Sequence, residues 1–404
     1  MSMDSERPNV LITNGRLILE HDVVHAAIAI NSGVIERIIE DQDAVDEWLH
    51  QHPEAEIIDV HNQLVMPGMI DIHCDAIEKE VEPRPNTIFP LQMALMEFER
   101  KLPLYGITTM YHSLSLGVGL SVRGEHLLTQ MVETITEYRK QRSMVRNRIH
   151  LRYEVSYLSG LPIVEKYLKE RTIDLLSFMD HSPGQGQYRA PGSFERYVMK
   201  NQGVDVNEVQ EIIADLMDRR EQIDWSQLKQ LAYLARQQGI IIASHDDDTT
   251  EQVDTSISRG AAISEFPINM KTAKYATEKG MQVCVGAPNI VRGGSHDKNL
   301  RAADAISEQA AQIICSDYHP SSMLAAVFKL ADEQTVNDLP AAVRMVTLNP
   351  AIAMQVDHEI GSIAPGKYAD LIVVDQYEGI PWISTTIVDG TIVYSAAPRK
   401  VWNP

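Results

Sequence analysis

The chain is short of cysteine, of basic charge and of long apolar runs. Its three cysteines, Cys74, Cys284 and Cys315, are far apart and form no CxxC pair. That pattern suits neither a disulfide framework nor a cysteine metal finger. Each lies within or at the end of a strand-like run, where a reduced thiol behaves as a small hydrophobe. No apolar run approaches the roughly 20 residues of a membrane span. The opening MSMDSERPNV lacks the basic-then-apolar pattern of a secretory signal, so a cytoplasmic protein without a membrane partner is expected. Among 404 residues, 36 Lys and Arg face 56 Asp and Glu, a formal net charge of −20. A nucleic-acid partner is therefore not expected. A small anionic substrate is still allowed, because screening over roughly 8–10 Å lets a local basic cluster outweigh the total. No glycine-rich phosphate loop follows the first buried strand, which disfavours a doubly wound nucleotide fold.

What is present alternates. Short β-branched runs at 69–74, 107–115, 148–155, 174–180, 239–244, 261–266, 281–286 and 312–316 are separated by helical patterns such as 205–219 and 225–237. Strands alternating with helices imply a parallel sheet, and eight such units in about 280 residues fit a (β/α)8 TIM-type barrel. Both chain ends read instead as short strands with turn signals at Asn14–Gly15, Asn31–Gly33, Pro365–Gly366 and Asp389–Gly390. They are expected to pair into one small β-sandwich domain, residues 1–64 with 355–404, around a barrel of residues 65–354. The span 183–204 is turn-rich and longer than an ordinary connection. Placed after strand four, it reads as a lid over the C-terminal face.

Barrel chemistry sits where the strands end. Strand one finishes in MIDIHCD, with His73 and Asp75 two residues apart and so on one face. Alone, such a pair is commonly a satisfied histidine beside a turn-forming aspartate. Here it has company. Arg152 and Glu154 share parity on strand three, His181 follows strand four, and His245 ends strand five. Glu265 ends strand six and Asp317 ends strand eight. Burying so many ionisable groups together costs several kcal/mol per unpaired charge, and a divalent cation removes that cost. Imidazole mixed with carboxylate suits zinc, with manganese or iron as alternatives, in one or two ions. The expected ligands are His73, Asp75, Glu154, His181, His245 and Asp317. Asp317 is also the expected general base. His112 and His150 read as core histidines, Asp71 as a residue orienting a ligand, and Asp246–Asp248 as a solvated turn and helix cap.

A second set is basic. Lys79 and Arg84 follow strand one, Arg152 faces the interior, and NIVRGGSHDKN places Arg292 and His296 after strand seven. The loops after strands seven and eight of such barrels are a frequent phosphate site, and arginine suits bidentate phosphate recognition.

The segments LVMPGMIDIH, VTLNPAIAM and GSIAPGKYADLIVVD resemble the amidohydrolase superfamily of metal-dependent barrel hydrolases. More narrowly, HCDAIEKEVEPRP, HLRYEVS, MDHSPGQGQY, ASHDDDTTEQV, GAPNIVRGGSH and SDYHPSSMLAAVF resemble its PhnM family, of the carbon–phosphorus lyase pathway. The resemblance spans the whole chain. It implies hydrolysis of α-D-ribose 1-methylphosphonate 5-triphosphate to the 5-phosphate and pyrophosphate, with Gln185 of the PGQGQ loop helping to grip phosphates. Asp75 stands where the superfamily usually has the second histidine of His-x-His, and Glu154 where many members carry a carboxylated lysine. Glu265 replaces a usual histidine. The alternative on the same barrel face is a deaminase or cyclic amide hydrolase acting on C–N bonds. A homo-oligomer with a small phosphorylated sugar as substrate completes the expectation.

Overall fold

A computed structural model describes residues 9–117, 123–189, 192–202, 205–295 and 299–396. Eight parallel strands follow one another in chain order: Met69–Cys74, Ile107–Leu116, Arg146–Glu154, Leu175–Met179, Ile241–His245, Ile263–Glu265, Gln282–Gly286 and Ile313–Cys315. They are called strands one to eight below. Each of the eight runs expected from sequence overlaps one of them. The helices between them show why the alternation was legible. Trp225–Gln237 buries Leu228, Leu231, Ala232 and Ala235, a spacing of three and four, and starts where the Asp224 carboxylate accepts from the Ser226 amide at 2.9 Å.

Strands eight and one meet in a single parallel bridge, Cys74 to Asp317, so the barrel is nearly closed. The Asp317 amide donates to the His73 carbonyl at 2.9 Å, and the Asp75 amide donates to the Asp317 carbonyl at 2.8 Å. Below this the ladder is replaced by a side chain: Asp71 Oδ1 accepts from the Ser316 amide at 3.1 Å. Burial pushes the Asp71 carboxyl up to about 6, against the pull of its hydrogen bonds with Ser316.

The two chain ends do pair. Leu371–Val374 runs antiparallel to Leu64–Pro67, inside one mixed sheet that also holds Val10–Ile18, Val23–Asn31, Val34–Ile39, Glu56–Asp59, Ile380–Val388 and Thr391–Ser395. The sheet therefore takes in Leu64–Pro67, past residue 64. Two of the expected turns are hairpin turns, with φ of 52° and 84° at Ser32–Gly33 and 50° and 72° at Asp389–Gly390. Asn14–Gly15 is not a turn. It is a bulge inside the continuous strand Val10–Ile18, where the register with Val23–Asn31 shifts between Ile12 and Gly15. An Asn-Gly pair supplies the positive φ for either device, and only pairing partners distinguish them.

The span 183–204 departs further from expectation. It is not all loop, because Ser193–Gln202 is a helix that packs with Val206–Glu221 through Phe194, Val198 and Val209. Together these helices form a small apolar cluster with Tyr188 beside the C-terminal ends of the strands.

The join between sheet and barrel is tight at Gly68. A Cβ there would lie 2.2 Å from Thr108 Oγ1 and 2.8 Å from Thr108 Cβ, so no rotation of the buried Thr108 relieves the clash. Gly68→Ala is expected to cost about 1–3 kcal/mol through overpacking, read as a lower urea midpoint at unchanged slope.

Candidate metal centre and substrate cavity

Strand parity carries the polar residues into the barrel mouth. His150, Arg152 and Glu154 alternate along strand three and point inward as three successive levels. At the top, the Glu154 carboxylate accepts from the His181 amide at 3.1 Å and lies 2.8 Å from its Nδ1. That contact places the ring proton on Nδ1 and leaves His181 Nε2 directed at Asp246 Oδ2, 3.8 Å away. Burial opposes a charge on His181, but Glu154 outweighs it and raises the pKa. His245 Nε2 is also 3.8 Å from Asp246 Oδ2. Burial first, and then the Arg152 guanidinium, hold the His245 pKa well down, so its imidazole is neutral.

His181 Nε2 and Asp246 Oδ2 are buried and have no hydrogen-bond partner. Orphaned polar atoms are costly. Together with His245 they form a group whose donor atoms all lie within 4.8 Å of one another, two imidazole nitrogens and a carboxylate oxygen. Donor type and spacing fit a divalent ion whose ligands sit about 2.0–2.2 Å away. Arg152 Nη2 donates to His245 Nε2 at 3.2 Å, and Nη1 lies 3.8 Å from Asp75.

A level deeper, His73, His150 and Glu265 make a second compact group, entirely buried. Here Glu265 lies 2.8 Å from His73 Nδ1 and accepts from Ser177 Oγ at 2.8 Å. Burial alone would raise the Glu265 pKa, and the surrounding histidines and Ser177 outweigh it and lower it.

Above both groups opens a cavity of about 980 Å³. Asp75, Arg123, Arg152, His181, His245, Asp246, Arg292 and Asp317 line it. Burial, and then the charge of Asp75, push the Asp317 carboxyl up to about 7. Arg123 donates two hydrogen bonds to Glu78, at 3.0 and 2.9 Å, and lies 3.6 Å from Asp75.

The expected site residues therefore separate. His181 and His245 converge on one ligand group; Glu154 orients His181 rather than joining that group, and His73 lies one level down. Asp75 faces Arg123 and Arg152. Lys79 and Arg84 are exposed and line no part of the cavity. Gln185 lines a neighbouring cavity of about 480 Å³ and meets Gln252 at 3.4 Å. His296 lies outside the described residues. One reading is corrected. Asp246–Asp248 are buried rather than solvated, and the helix cap is Thr249, whose hydroxyl accepts from the Gln252 amide. Asp246 adopts a φ of 56°, and Gly186 presses against it so closely that an added Cβ would be 3.0 Å from its Cβ. His150 is, as expected, a buried histidine with both ring nitrogens partnered, and it belongs to the deeper group. Arg123 carried no pattern in the sequence that marks it.

The Amidohydrolase family pattern matches residues 207–393. The chain is 34% identical over 372 residues to the alpha-D-ribose 1-methylphosphonate 5-triphosphate diphosphatase of Escherichia coli K12, covering 90% of this chain and 94% of that one. Among solved structures it resembles dihydropyrimidinase from Brevibacillus agri (TM-score 0.64, 14% identity, 96% and 95% of the chains). It also resembles N-acetylglucosamine-6-phosphate deacetylase from Pasteurella multocida (TM-score 0.62, 13% identity, 95% and 99%). At those identities the structures speak for the fold alone, a parallel barrel with a sheet built from both termini. With a full-length relative at 34% identity and the family pattern across its second half, the chain belongs to the amidohydrolase family.

Proposed function

We propose that the chain is a metal-dependent diphosphatase that cleaves α-D-ribose 1-methylphosphonate 5-triphosphate to the 5-phosphate and pyrophosphate. The observation that carries this reading is the meeting in one cavity of a His181–His245–Asp246 ligand group with Arg123, Arg152 and Arg292. A neutral ring substrate has no use for three guanidinium groups, whereas a triphosphate with a phosphonate needs them. The full-length similarity to the Escherichia coli diphosphatase supports the same substrate. Among the described residues no helix is long and apolar enough to cross a membrane.

His181, His245 and Asp246 would hold the ion, and this donor set suits zinc, with manganese or iron as close alternatives. When bound, a divalent ion supplies Lewis-acid polarisation of phosphoryl oxygens and a water activated near neutral pH. The protein supplies the rest. Arg152 and Arg292 grip the anionic oxygens, and Arg123 approaches from the side of Asp75. Asp317, its carboxyl lifted to about 7, takes the proton of the attacking water. A new oxygen–phosphorus bond forms, the α–β phosphoanhydride bond breaks, and pyrophosphate leaves with the negative charge that the arginines neutralise.

Phosphorus NMR of the zinc-loaded protein with this triphosphate tests the reading: pyrophosphate should appear while the phosphonate signal stays intact. No turnover with metal bound would move the assignment to C–N substrates. Asp317→Asn should fold normally and lose about 10²–10⁴-fold in kcat, and wild-type rates in that variant would remove it as the base. Arg292→Ala should raise KM for the triphosphate by about tenfold, the loss of roughly 1.4 kcal/mol, with a smaller change in kcat. Asp246→Ala should release zinc at chelator concentrations that leave the wild type loaded, measured by metal analysis after dialysis.

A further inference from the structure

The hydrogen bonds of the buried group beneath the cavity are consistent with one proton order. Glu265 Oε2 accepts from Ser177 Oγ at 2.8 Å. An ionised carboxylate is a stronger acceptor than a neutral imidazole, so the single Ser177 proton points to Glu265. Ser177 Oγ must then accept from His150 Nε2, which lies 2.5 Å away. His150 Nδ1 is left as an acceptor, and Ser113 Oγ, 3.1 Å from it, donates. Ser113 Oγ in turn accepts the Cys74 amide at 3.0 Å. The chain of donors runs one way, from the backbone beside His73 to the carboxylate on strand six.

Glu265 also meets two imidazoles. Its Oε1 is 2.8 Å from His73 Nδ1, and its Oε2 is 3.5 Å from His245 Nδ1, which is buried and makes no closer hydrogen bond. The two rings hang side by side, 5.5 Å apart and only 10° from parallel. Free neutral imidazole favours the Nε2–H tautomer. A carboxylate at Nδ1 reverses that preference, because it demands the proton there. We propose that Glu265 is the positioning residue of this centre: it holds His73 and His245 in the Nδ1–H form and so leaves an Nε2 lone pair on each, that of His245 facing the ligand group of the ion. His150, Ser113 and Ser177 act through Glu265, keeping its second oxygen occupied and its rotamer fixed. An acid at this strand end thus serves histidines where a histidine would itself reach for metal. The inference rests on the metal-centre reading above, but not on the substrate.

The test is made on the full chain without substrate. Long-range proton–nitrogen NMR of protein carrying ¹⁵N-histidine reads each tautomer directly, with assignments from the resonances lost in His73→Gln and His245→Gln. In the metal-free wild type both should show the Nδ1–H pattern. Finding either as Nε2–H overturns the proposal whether or not any variant folds. Glu265→Gln keeps the shape and removes the charge. It should lose the Nδ1–H pattern at one or both rings and bind zinc about 10–100-fold more weakly in chelator competition. Unchanged tautomers with zinc affinity within twofold of wild type would overturn the proposal. A purely structural Glu265 would lower the unfolding temperature without moving the tautomers. Because neither readout uses the triphosphate, failure here leaves the diphosphatase reading standing, and absence of turnover leaves this one standing.

Discussion

The seam where strand eight meets strand one is the constraint on which the site depends. Two backbone hydrogen bonds tie Asp317 to His73 and Asp75, and the Asp71 carboxylate completes the seam at Ser316. Without that junction, Asp317 would belong to one edge of an open sheet and His73 and Asp75 to the other. Closure brings the first and last polar strand ends to one mouth. It also explains a polar residue buried at position 71, where a strand interior ordinarily favours an apolar one: the side chain accepts the hydrogen bond that the ladder lacks.

Within the mouth, charge is arranged in levels. In the lower level Glu265 and both ring nitrogens of His150 have hydrogen-bond partners. In the upper level His181 Nε2, His245 Nδ1 and Asp246 Oδ2 have none although buried. A folded protein tolerates such atoms where a ligand completes them, and the donor types point to a cation. Under the proposed function the arginines complement the cation on the substrate side, and a chain of net charge −20 would recruit a polyanion there because Arg152 is buried against the site, where solvent screens it little.

Much of this was readable from the sequence. Short β-branched runs alternating with helical patterns located all eight barrel strands. Parity along HLRYE put His150, Arg152 and Glu154 on one face, and the positions of His181, His245 and Asp317 just past apolar runs marked them as mouth residues. The helix Trp225–Gln237 followed from spacing alone. These features are local, set by the two-residue and 3.6-residue repeats of the backbone.

Tertiary structure decided the rest. Three consecutive aspartates at 246–248 read as a solvated turn, and they are buried because the excursion after strand four folds back, with Gly186 against Asp246. Lys79 and Arg84 lie near the site in sequence but face solvent, while Arg123, unmarked by any motif, turns into the cavity. Asn14–Gly15 has the composition of a hairpin turn and is a bulge, because the strand beside it continues. The sequence by itself determined the barrel and the paired termini, through periodicities that each segment carries alone. Which carboxylate meets which imidazole, and which cation meets the substrate, depended on contacts between segments distant in the chain, and no local pattern encodes those.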